Sequence, residues 1–371
     1  LVLAFVLVAA ACGSDDSTDT ADGDSADTET GESADADDDA DAEADEPADD
    51  AADDLGEMGD SVNIVFAFGF PEGHPVYQNA LIPWAEEVSA ATDGTVTMEF
   101  FPGGALGPPP GTYEQVVSRV QDAGWSLPGY TAGRFPITTV VELPFTFESA
   151  AQATDVMWTL YEEFPEFQEE YSDTKVLALF THDLGQLWSS TGEVSSMDDV
   201  GGLSLRSPGA LQNKLIEELG GTPVNMPVGE LFDSLDRGVV DGTVIAASGV
   251  RDFGLAPLVT SGILCDCYVA AFFVNMNLDT WNSLSPAQQA AVDSVSLRSL
   301  SIAGAEAFDA ANEASFELVE SEGIQLTELT GEELDRWIEA GNTVAENWIS
   351  DGEAEGLPAQ AMYDRMQELV G

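Results

Sequence analysis

The sequence predicts an α/β protein built as two lobes, and three observations support that prediction. Short apolar runs alternate with longer amphipathic stretches from about residue 62 onward. A chain of 371 residues exceeds what a single hydrophobic core usually holds, so about two packed bodies are expected. Over residues 62–101 a strand, a helix and a second strand follow one another, which is the pattern of a parallel crossover unit.

The remaining elements follow from the same periodicities. Strands are predicted at 62–68, 95–101, 175–180, 202–206 and 263–276, and helices at 76–91, 149–172, 208–219, 228–236, 331–347 and 358–369. Residues 285–323 predict one continuous Ala-rich helix, since their only proline is Pro286, at a first position where a missing N–H costs nothing. Such a helix would be about 55 Å long and would cross both lobes.

The N-terminal 60 residues differ from the rest of the chain. Residues 1–11 are wholly apolar, too short for a membrane-spanning helix but typical of the apolar core of a signal peptide. Three alanines lead into Cys12, which resembles the lipobox of bacterial lipoproteins and predicts lipidation of that cysteine. An ordinary cleaved signal is the alternative. Residues 13–60 hold 22 Asp or Glu and no basic or aromatic residue, so a disordered acidic tether is expected over 12–60.

Charge and motif content exclude several classes of function. The formal net charge is −59, with 10 basic against 69 acidic residues, which argues against nucleic acid or an anionic lipid surface as a partner. With two histidines and no metal-ligand spacing, neither zinc nor calcium is expected. No nucleophile elbow, phosphate loop or dinucleotide fingerprint occurs, so the sequence predicts no cofactor and no enzymatic activity.

The segment from residue 199 to residue 242 carries the strongest functional signal. A predicted strand ends at Arg206 and is followed by Ser207 and Pro208, an N-cap and first-turn pair, which places a guanidinium beside the positive end of a helix. Arginine offers a planar, two-pronged donor for a carboxylate, and basic residues are scarce in this chain. Arg206 is therefore a candidate anion ligand, and the alternative is an ordinary pair with a nearby acid.

This segment resembles the signature of the solute-binding receptors of tripartite ATP-independent periplasmic (TRAP) transporters, the DctP family. The resemblance covers 199–206, 221–227 and 238–242 in the correct order, and it extends to 100–107, 140–149 and 272–289, with 124–136 similar to one subgroup. It implies a type II-like periplasmic-binding-protein fold with interleaved lobes and a hinge. It also implies that Arg206 pairs with the carboxylate of a small organic acid and that membrane permease subunits receive the solute outside the cytoplasm.

The departures from the family pattern concern the ligand. Many members carry a second arginine in the strand that enters the second lobe, whereas this chain has Gly185 and Gln186 there. Many members also carry an asparagine at the position that Ile245 occupies in this chain. A ligand held by several polar groups is therefore less expected than a monocarboxylate with an apolar or aromatic body. An ABC-type importer receptor is the nearest alternative function, and an exported hydrolase is the alternative of another class.

Further cleft residues are expected beside Arg206, each with a structural alternative. The alternative for the aromatic candidates is that they are core residues. The alternative for His74 is a cap or surface position, and the alternative for Arg134 is a structural ion pair. These candidates are Phe68, His74, Trp125, Tyr130, Arg134, Gln186 and Trp188.

The resemblance also suggests how the domain over residues 61–371 is divided. The first lobe is expected over 62–184 with 266–285, and the second over 185–265 with the C-terminal helices. Cys265 and Cys267 lie two apart in a predicted strand and share a face, so a disulfide and two free buried thiols both remain open.

Overall fold

The computed structural model describes residues 55–371, and eleven β-strands run through that part of the chain. Their bounds are β1 (Val62–Phe68), β2 (Val96–Phe101), β3 (Ala123–Ser126), β4 (Thr174–Thr181), β5 (Gly185–Ser189), β6 (Ser204–Ser207), β7 (Thr222–Asn225), β8 (Gly242–Ala246), β9 (Ser261–Leu264), β10 (Ala271–Asn277) and β11 (Gln325–Glu328).

Thirteen α-helices pack around these strands within the same residues, and several one-turn helices join them. Their bounds are α1 (Ile82–Ala91), α2 (Thr112–Val117), α3 (Ala150–Glu163), α4 (Pro165–Glu169), α5 (Met197–Val200), α6 (Ala210–Glu218), α7 (Leu231–Asp236), α8 (Ala247–Asp252), α9 (Leu278–Ser283), α10 (Pro286–Ser294), α11 (Arg298–Ser321), α12 (Gly331–Ala354) and α13 (Ala359–Val370).

The strands form two sheets whose members interleave along the chain. The first sheet has the order β2-β1-β3-β10-β4, and the second has the order β11-β9-β5-β8-β6-β7. In the first sheet β1 is parallel to both β2 and β3, while β10 returns antiparallel to β3 and β4. In the second sheet β6 is parallel to β7 and β8, and β5 is antiparallel to β8 and β9. The predicted two-lobed, interleaved α/β architecture is confirmed.

The chain crosses between the sheets three times: after β4, after β9, and from β10 through α9–α11 to β11. The first two of these, called the crossing segments here, lie side by side. These segments bond to each other: the N–H of Gly185 donates to the carbonyl of Tyr268 at 2.8 Å, and the N–H of Cys267 donates to the carbonyl of Gly185 at 3.0 Å. The prediction of a single strand over 263–276 was wrong, because β9 pairs in the second sheet and β10 in the first. Asp266, whose φ is 47°, interrupts the extended run.

The predicted continuous helix over 285–323 was also wrong. It breaks into α10 and α11 around Leu297, whose φ is 56°. The break is bonded to the first lobe: the N–H of Leu297 donates to the carbonyl of Leu177 in β4, and Ser296 Oγ accepts from Trp84 Nε1 at 2.9 Å. The 24-residue α11 still contacts both lobes, since it packs on β4 and α3 beside the first sheet and on α8 next to the second.

Two further differences concern helices. The predicted helix over 149–172 divides into α3 and α4, because Phe164 leaves the helical conformation and Pro165 starts a new helix. Of the C-terminal helices, α12 packs on α6 beside the second sheet, whereas α13 packs on α3 beside the first. Both had been expected with the second lobe.

The predictions for the N-terminus lie largely outside the described residues. The signal segment 1–11, Cys12 and the tether as far as residue 54 are in the part of the chain that the structure does not describe. Among the described helices, none is both long enough and apolar enough to cross a membrane.

Candidate ligand-binding site

A crevice lies between the two sheets and gathers residues from most of the elements around it. The empty space between its walls is about 450 Å³ when the open mouth is included. The lining is mainly aromatic and aliphatic, with a few polar side chains: Phe70, His74, Leu127, Tyr130, His182, Arg206, Pro208, Val228, Ile245, Ala246, Ser248, Gly249, Asp252, Phe253, Tyr268, Phe272 and Phe308.

Arg206 lies in β6, a strand with a neighbour on each side, where it pairs with Val224 of β7 and Thr243 of β8. Its side chain is 2% exposed. The guanidinium Nε donates to the carbonyl of Met226 at 3.0 Å. Among the described residues no carboxylate lies within ion-pair distance of Arg206, so a buried positive charge faces the crevice without a counter-ion. Since an uncompensated buried charge is costly, this arrangement suits an anionic ligand.

Tyr130 brings the first lobe to this guanidinium. It ends a one-turn helix that follows β3, and its hydroxyl oxygen accepts the N–H of Val228 at 3.0 Å. Arg206 Nη2 lies 3.5 Å from the same oxygen. With its lone pairs directed at these two donors, the phenol has its own O–H proton free to donate into the crevice.

Burial keeps both crevice histidines neutral at neutral pH. It lowers the pKa of His74 to about 3, with a further lowering from the charge of Arg251. It likewise lowers the pKa of His182 to about 4, and the charge of Arg206 acts in the same direction. Arg206 is consequently the one cation among the side chains that line the crevice.

His182 and Tyr268 belong to the two crossing segments, so the crevice floor is the place where the lobes connect. His182 Nδ1 bonds to the carbonyl of Asp183, and its Nε2 accepts the N–H of Ala270 at 3.1 Å. The hydroxyl of Tyr268 donates to the carbonyl of Val244 at 3.1 Å. Because these bonds join the crossing segments and the second sheet, a ligand touching His182 and Tyr268 touches the connection between lobes.

Aromatic rings form the apolar wall. Phe272 lies with its ring centroid 5.5 Å from that of Phe308 and 5.8 Å from that of Phe70. The His74 ring meets Phe308 edge-on at 5.4 Å and Phe253 at 6.4 Å. Rings at such spacings leave flat, apolar surfaces that suit stacking or edge contacts with another ring.

Three of the predicted aromatic residues do not line this crevice and are corrected to core residues. Trp125 is fully buried behind Phe70, with ring centroids 4.2 Å apart. Phe68 is 2% exposed and packs on Trp125. Trp188 is fully buried, and its indole N–H donates to the carbonyl of Ile245 at 2.8 Å. All three lie on central strands that are covered on both faces, so their burial is structural.

Two of the predicted polar residues also lie away from the crevice. Gln186 holds the second crossing segment, since its Nε2 donates to Asp266 Oδ1 at 2.5 Å and its Oε1 accepts the N–H of Asp266 at 3.0 Å. Arg134 forms an ion pair with Asp173 at 2.6 Å and lies over the ring of Tyr113. Arg206, Tyr130 and His74 are the predicted residues that the crevice brings together.

Sequence reasoning missed most of the remaining lining. Asp252 and Phe253 close α8, only ten residues beyond the last matched motif, and Phe308 lies on the buried face of α11. Tyr268 was hidden inside the predicted strand 263–276. One signal in the sequence could have indicated α8 as part of the lining, because this helix begins five residues after the motif that ends at residue 242.

Within the part of the chain that the structure describes, two lobes, a crevice between them and a buried arginine without a carboxylate partner are typical of a receptor for a small anionic solute. The chain belongs to the bacterial extracellular solute-binding proteins of family 7, DctP, whose family profile matches residues 66–351.

Solved structures support the same conclusion. A marine-metagenome TRAP solute-binding protein, described as specific for aromatic acid ligands and complexed with metahydroxyphenylacetate, is 28% identical with a TM-score of 0.80. A TRAP solute-binding protein from Rhodoferax ferrireducens in complex with copurified benzoate is 26% identical, also with a TM-score of 0.80. Each comparison covers 84% of this chain and 98% of the other.

The matches to sequence relatives cover less of the chain than the matches to solved structures. A solute-binding protein of Chromohalobacter salexigens is 32% identical over 172 residues, which are 45% of this chain and 51% of that relative. The outer membrane transporter protein TsaT of Comamonas testosteroni is 23% identical over 227 residues, 60% of this chain and 67% of that protein. The chain is thus an extracytoplasmic solute-binding protein of the TRAP type.

Proposed function

We propose that this receptor binds an aromatic monocarboxylate, with the carboxylate on Arg206 and the ring among the crevice aromatics. The observation that carries the proposal is the composition of the lining: one arginine without a carboxylate partner among the described residues, within walls of Phe70, Phe253, Phe272 and Phe308. A bidentate bond to the guanidinium would neutralise the buried charge. The Tyr130 hydroxyl would add a second donor to the same carboxylate.

The polarity of the crevice favours this class over sugar acids and dicarboxylates. A uronate would bury several hydroxyl groups against phenyl rings, and each unpaired hydroxyl costs free energy. A dicarboxylate would leave its second charge without a cation, since Arg206 is the one Lys or Arg that lines the crevice. The metagenome and Rhodoferax relatives, described with metahydroxyphenylacetate and benzoate, support the same choice.

The proposal includes a closing motion and delivery to a membrane permease. A ligand that contacts Arg206 in the second lobe and Phe70 or Tyr130 in the first gains most when the lobes are together, so it favours the closed form. TRAP permease subunits would then recognise that form, and the solute would leave the receptor chemically unchanged. Recovery of the intact ligand after prolonged incubation tests binding without turnover, and a hydrolysis product would contradict it.

Lipid anchoring at Cys12 belongs to the proposal as well. It is supported by the apolar residues 1–11 and the alanines before Cys12, and the acidic stretch that follows would hold the receptor away from the membrane. Replacing Cys12 by Ser in the full-length precursor should release the protein from the membrane fraction of a bacterial host. Unchanged membrane association of that variant would contradict the anchor.

Isothermal titration with benzoate, phenylacetate, glucuronate and succinate tests the ligand class. We expect binding of the aromatic acids, and the Arg206→Ala variant should lose about 2–5 kcal/mol of it, the usual effect of breaking a buried charge pair. Arg206→Lys should recover part of the loss. The matched control is Arg336→Ala, an exposed arginine paired with Asp198. Binding of only glucuronate or succinate would refute the proposal, as would unchanged affinity of Arg206→Ala.

A further inference from the structure

The crevice contains a second polar group besides Arg206, formed by His74 and Asp252. His74 follows β1 in the first lobe, whereas Asp252 ends α8 in the second. Neither residue shares a hydrogen bond or an ion pair with Arg206. Both side chains line the crevice and both are more than nine-tenths buried, at 3% and 6% exposed.

One oxygen of Asp252 is left without a partner. Arg251 binds Oδ1 with two nitrogens, Nε at 2.8 Å and Nη2 at 2.7 Å. Oδ2 is buried and accepts no hydrogen bond from any described residue. A buried carboxylate oxygen without a donor is uncommon in native proteins, because it loses its hydration without compensation. Asp252 lines the crevice, and its Oδ2 lies 4.0 Å from Nε2 of His74, another lining residue.

The hydrogen bonding of His74 fixes which of its nitrogens carries the proton. Nδ1 accepts the N–H of Val76 at 3.3 Å, so the neutral ring has its proton on Nε2. Burial lowers the pKa of His74 to about 3, which keeps the ring neutral at neutral pH. Nε2 lies 4.0 Å from Asp252 Oδ2, too far for a direct hydrogen bond. Oδ2 is thus an acceptor and Nε2 a donor, 4.0 Å apart, on two side chains that line the crevice and do not bond to each other.

The spacing of these atoms selects the group that fits between them. Two hydrogen bonds of about 2.8 Å each can reach one oxygen atom from partners 4.0 Å apart. A hydroxyl suits both partners, because it donates to the carboxylate and accepts from the N–H. An aromatic amine donates well but is a poor acceptor, and a second carboxylate would be repelled by Asp252.

We propose that Asp252 and His74 bind a hydroxyl group on the ring of the ligand, so that the preferred solutes are hydroxyaryl monocarboxylates. This inference rests on the proposed function, since it takes Arg206 as the carboxylate site. The two lobes each supply one partner of the hydroxyl, and a hydroxylated ligand therefore adds a bond that exists only when the lobes are together. Asp252 and His74 act here as specificity-determining residues.

Titration calorimetry with two matched ligand series tests the inference. The series are benzoate with its 2-, 3- and 4-hydroxy derivatives, and phenylacetate with the same three derivatives, together with the amino analogue of the best hydroxy compound. We expect at least one hydroxylated isomer to bind about 10- to 100-fold tighter than its parent, the size of one hydrogen bond to a charged group. The amino analogue should lose most of that advantage.

Two variants connect the preference to the residues. In Asp252→Asn the amide oxygen is expected to stay with Arg251, which puts an NH₂ in place of Oδ2, and His74→Phe removes the Nε2 donor while keeping a ring. Each should reduce the hydroxyl preference at least several-fold, measured as the ratio of the two Kd values within one variant. That ratio is insensitive to a general loss of stability, because both ligands meet the same folded protein.

Asp183→Asn is the matched control. Asp183 is also a buried aspartate near the crevice, but Ser248 occupies its two oxygens, with Oγ at 2.5 Å from Oδ1 and the N–H at 3.5 Å from Oδ2. The hydroxyl preference should persist in this variant. Equal affinity for parent and hydroxylated ligands in the wild type, or an undiminished preference in Asp252→Asn, would overturn the inference while leaving the proposed function intact. Failure of all aromatic acids to bind would instead overturn the proposed function.

Discussion

The hydroxyl of Tyr130 and the guanidinium of Arg206 meet across the crevice, 3.5 Å apart, from segments that belong to different sheets. The same hydroxyl accepts the N–H of Val228 at 3.0 Å, in the turn before α7. One phenol oxygen thus joins the first lobe to two points of the second. The proposed anion site is therefore assembled from both lobes.

Tyr130→Phe tests this assembly. The variant loses a donor to the ligand carboxylate, and we expect affinity for an aromatic acid to fall by about 1.5 kcal/mol, roughly ten-fold. It also leaves the N–H of Val228 without its acceptor. Tyr161→Phe is the control, since Tyr161 lies in α3 outside the crevice lining. Calorimetry at one temperature compares the two variants, and an unchanged Kd for Tyr130→Phe would contradict a role for the hydroxyl.

Glu142 makes stability depend on pH. Burial raises its pKa to about 7 despite hydrogen bonds from the N–H of Ala271 and from Gln212. The unfolded chain releases this proton near pH 4.5, whereas the folded protein keeps it to about pH 7. The folded state thus binds more protons between these values. The contribution of Glu142 to the free energy of unfolding is full below about pH 4.5 and declines as pH rises toward 7.

Glu142→Gln removes that decline, because a neutral amide replaces the protonated acid. Relative to wild type, the variant should gain up to about 3 kcal/mol in the free energy of unfolding between pH 4.5 and pH 8. Gln212 Oε1 has no partner among the described residues. After a rotation of the Gln212 side-chain amide by about 180°, this oxygen would accept a hydrogen bond from the amide introduced at position 142. Urea titrations at both pH values measure the difference, with Glu148→Gln as an exposed control. A pH-independent difference would contradict the raised pKa of Glu142.

Gly185 marks a close approach of the two crossing segments. A Cβ at this position would lie 2.1 Å from Cε1 of Tyr268, so any side chain must displace that ring. We expect Gly185→Ala to lower the free energy of unfolding by about 1–3 kcal/mol and to weaken ligand binding, because Tyr268 lines the crevice. Gly229→Ala is the control, since its Cβ would meet no atom within 4 Å. Equal melting temperatures for the two variants would contradict this packing.

Cys265 and Cys267 are paired as a disulfide, with Cα atoms 4.8 Å apart, inside the usual range for such bonds. Both are buried, at 5% and 0% exposed. The sequence alone left free thiols equally open. Alkylation in denaturant followed by peptide mass spectrometry should find the peptide of residues 265–267 unmodified until a reductant is added. Full alkylation without reductant would show two free thiols instead.

Local patterns predicted the elements well where one periodicity holds from end to end, as for β1, β4 and α6. They failed where the chain passes from one sheet to the other while the apolar pattern of the sequence continues. Residues 263–276 are mostly apolar from end to end, and this pattern does not show which sheet supplies the hydrogen-bond partners of each residue. The break before α11 is invisible for a similar reason, since its residues are ordinary helix formers and the bonds of Leu297 and Ser296 to the first lobe are long-range.

The residues of the candidate site likewise include some that the sequence could predict and some that it could not. Arg206 could be predicted from the sequence because a strand end, a helix start and a family motif coincide there. Phe68 and Trp125 were not separable from Phe70 by pattern, since strands buried on both faces carry apolar residues at every position. Asp252 has no local signature at all. Its proposed role depends on long-range placement: Arg251 binds one of its oxygens, the other has no partner among the described residues, and the residue lines the crevice.

The crossing segments run side by side and hold each other by main-chain bonds, as between Gly185 and Tyr268. Together they behave as a narrow two-stranded ribbon. We infer that opening of the lobes bends this ribbon and also shifts α11, which packs beside both sheets, while the strand pairing inside each sheet is kept. Solute release would accordingly break the contacts of the solute and the hydrogen bonds of Tyr130 to Val228 and Arg206 that join the lobes, while each sheet keeps its strand pairing.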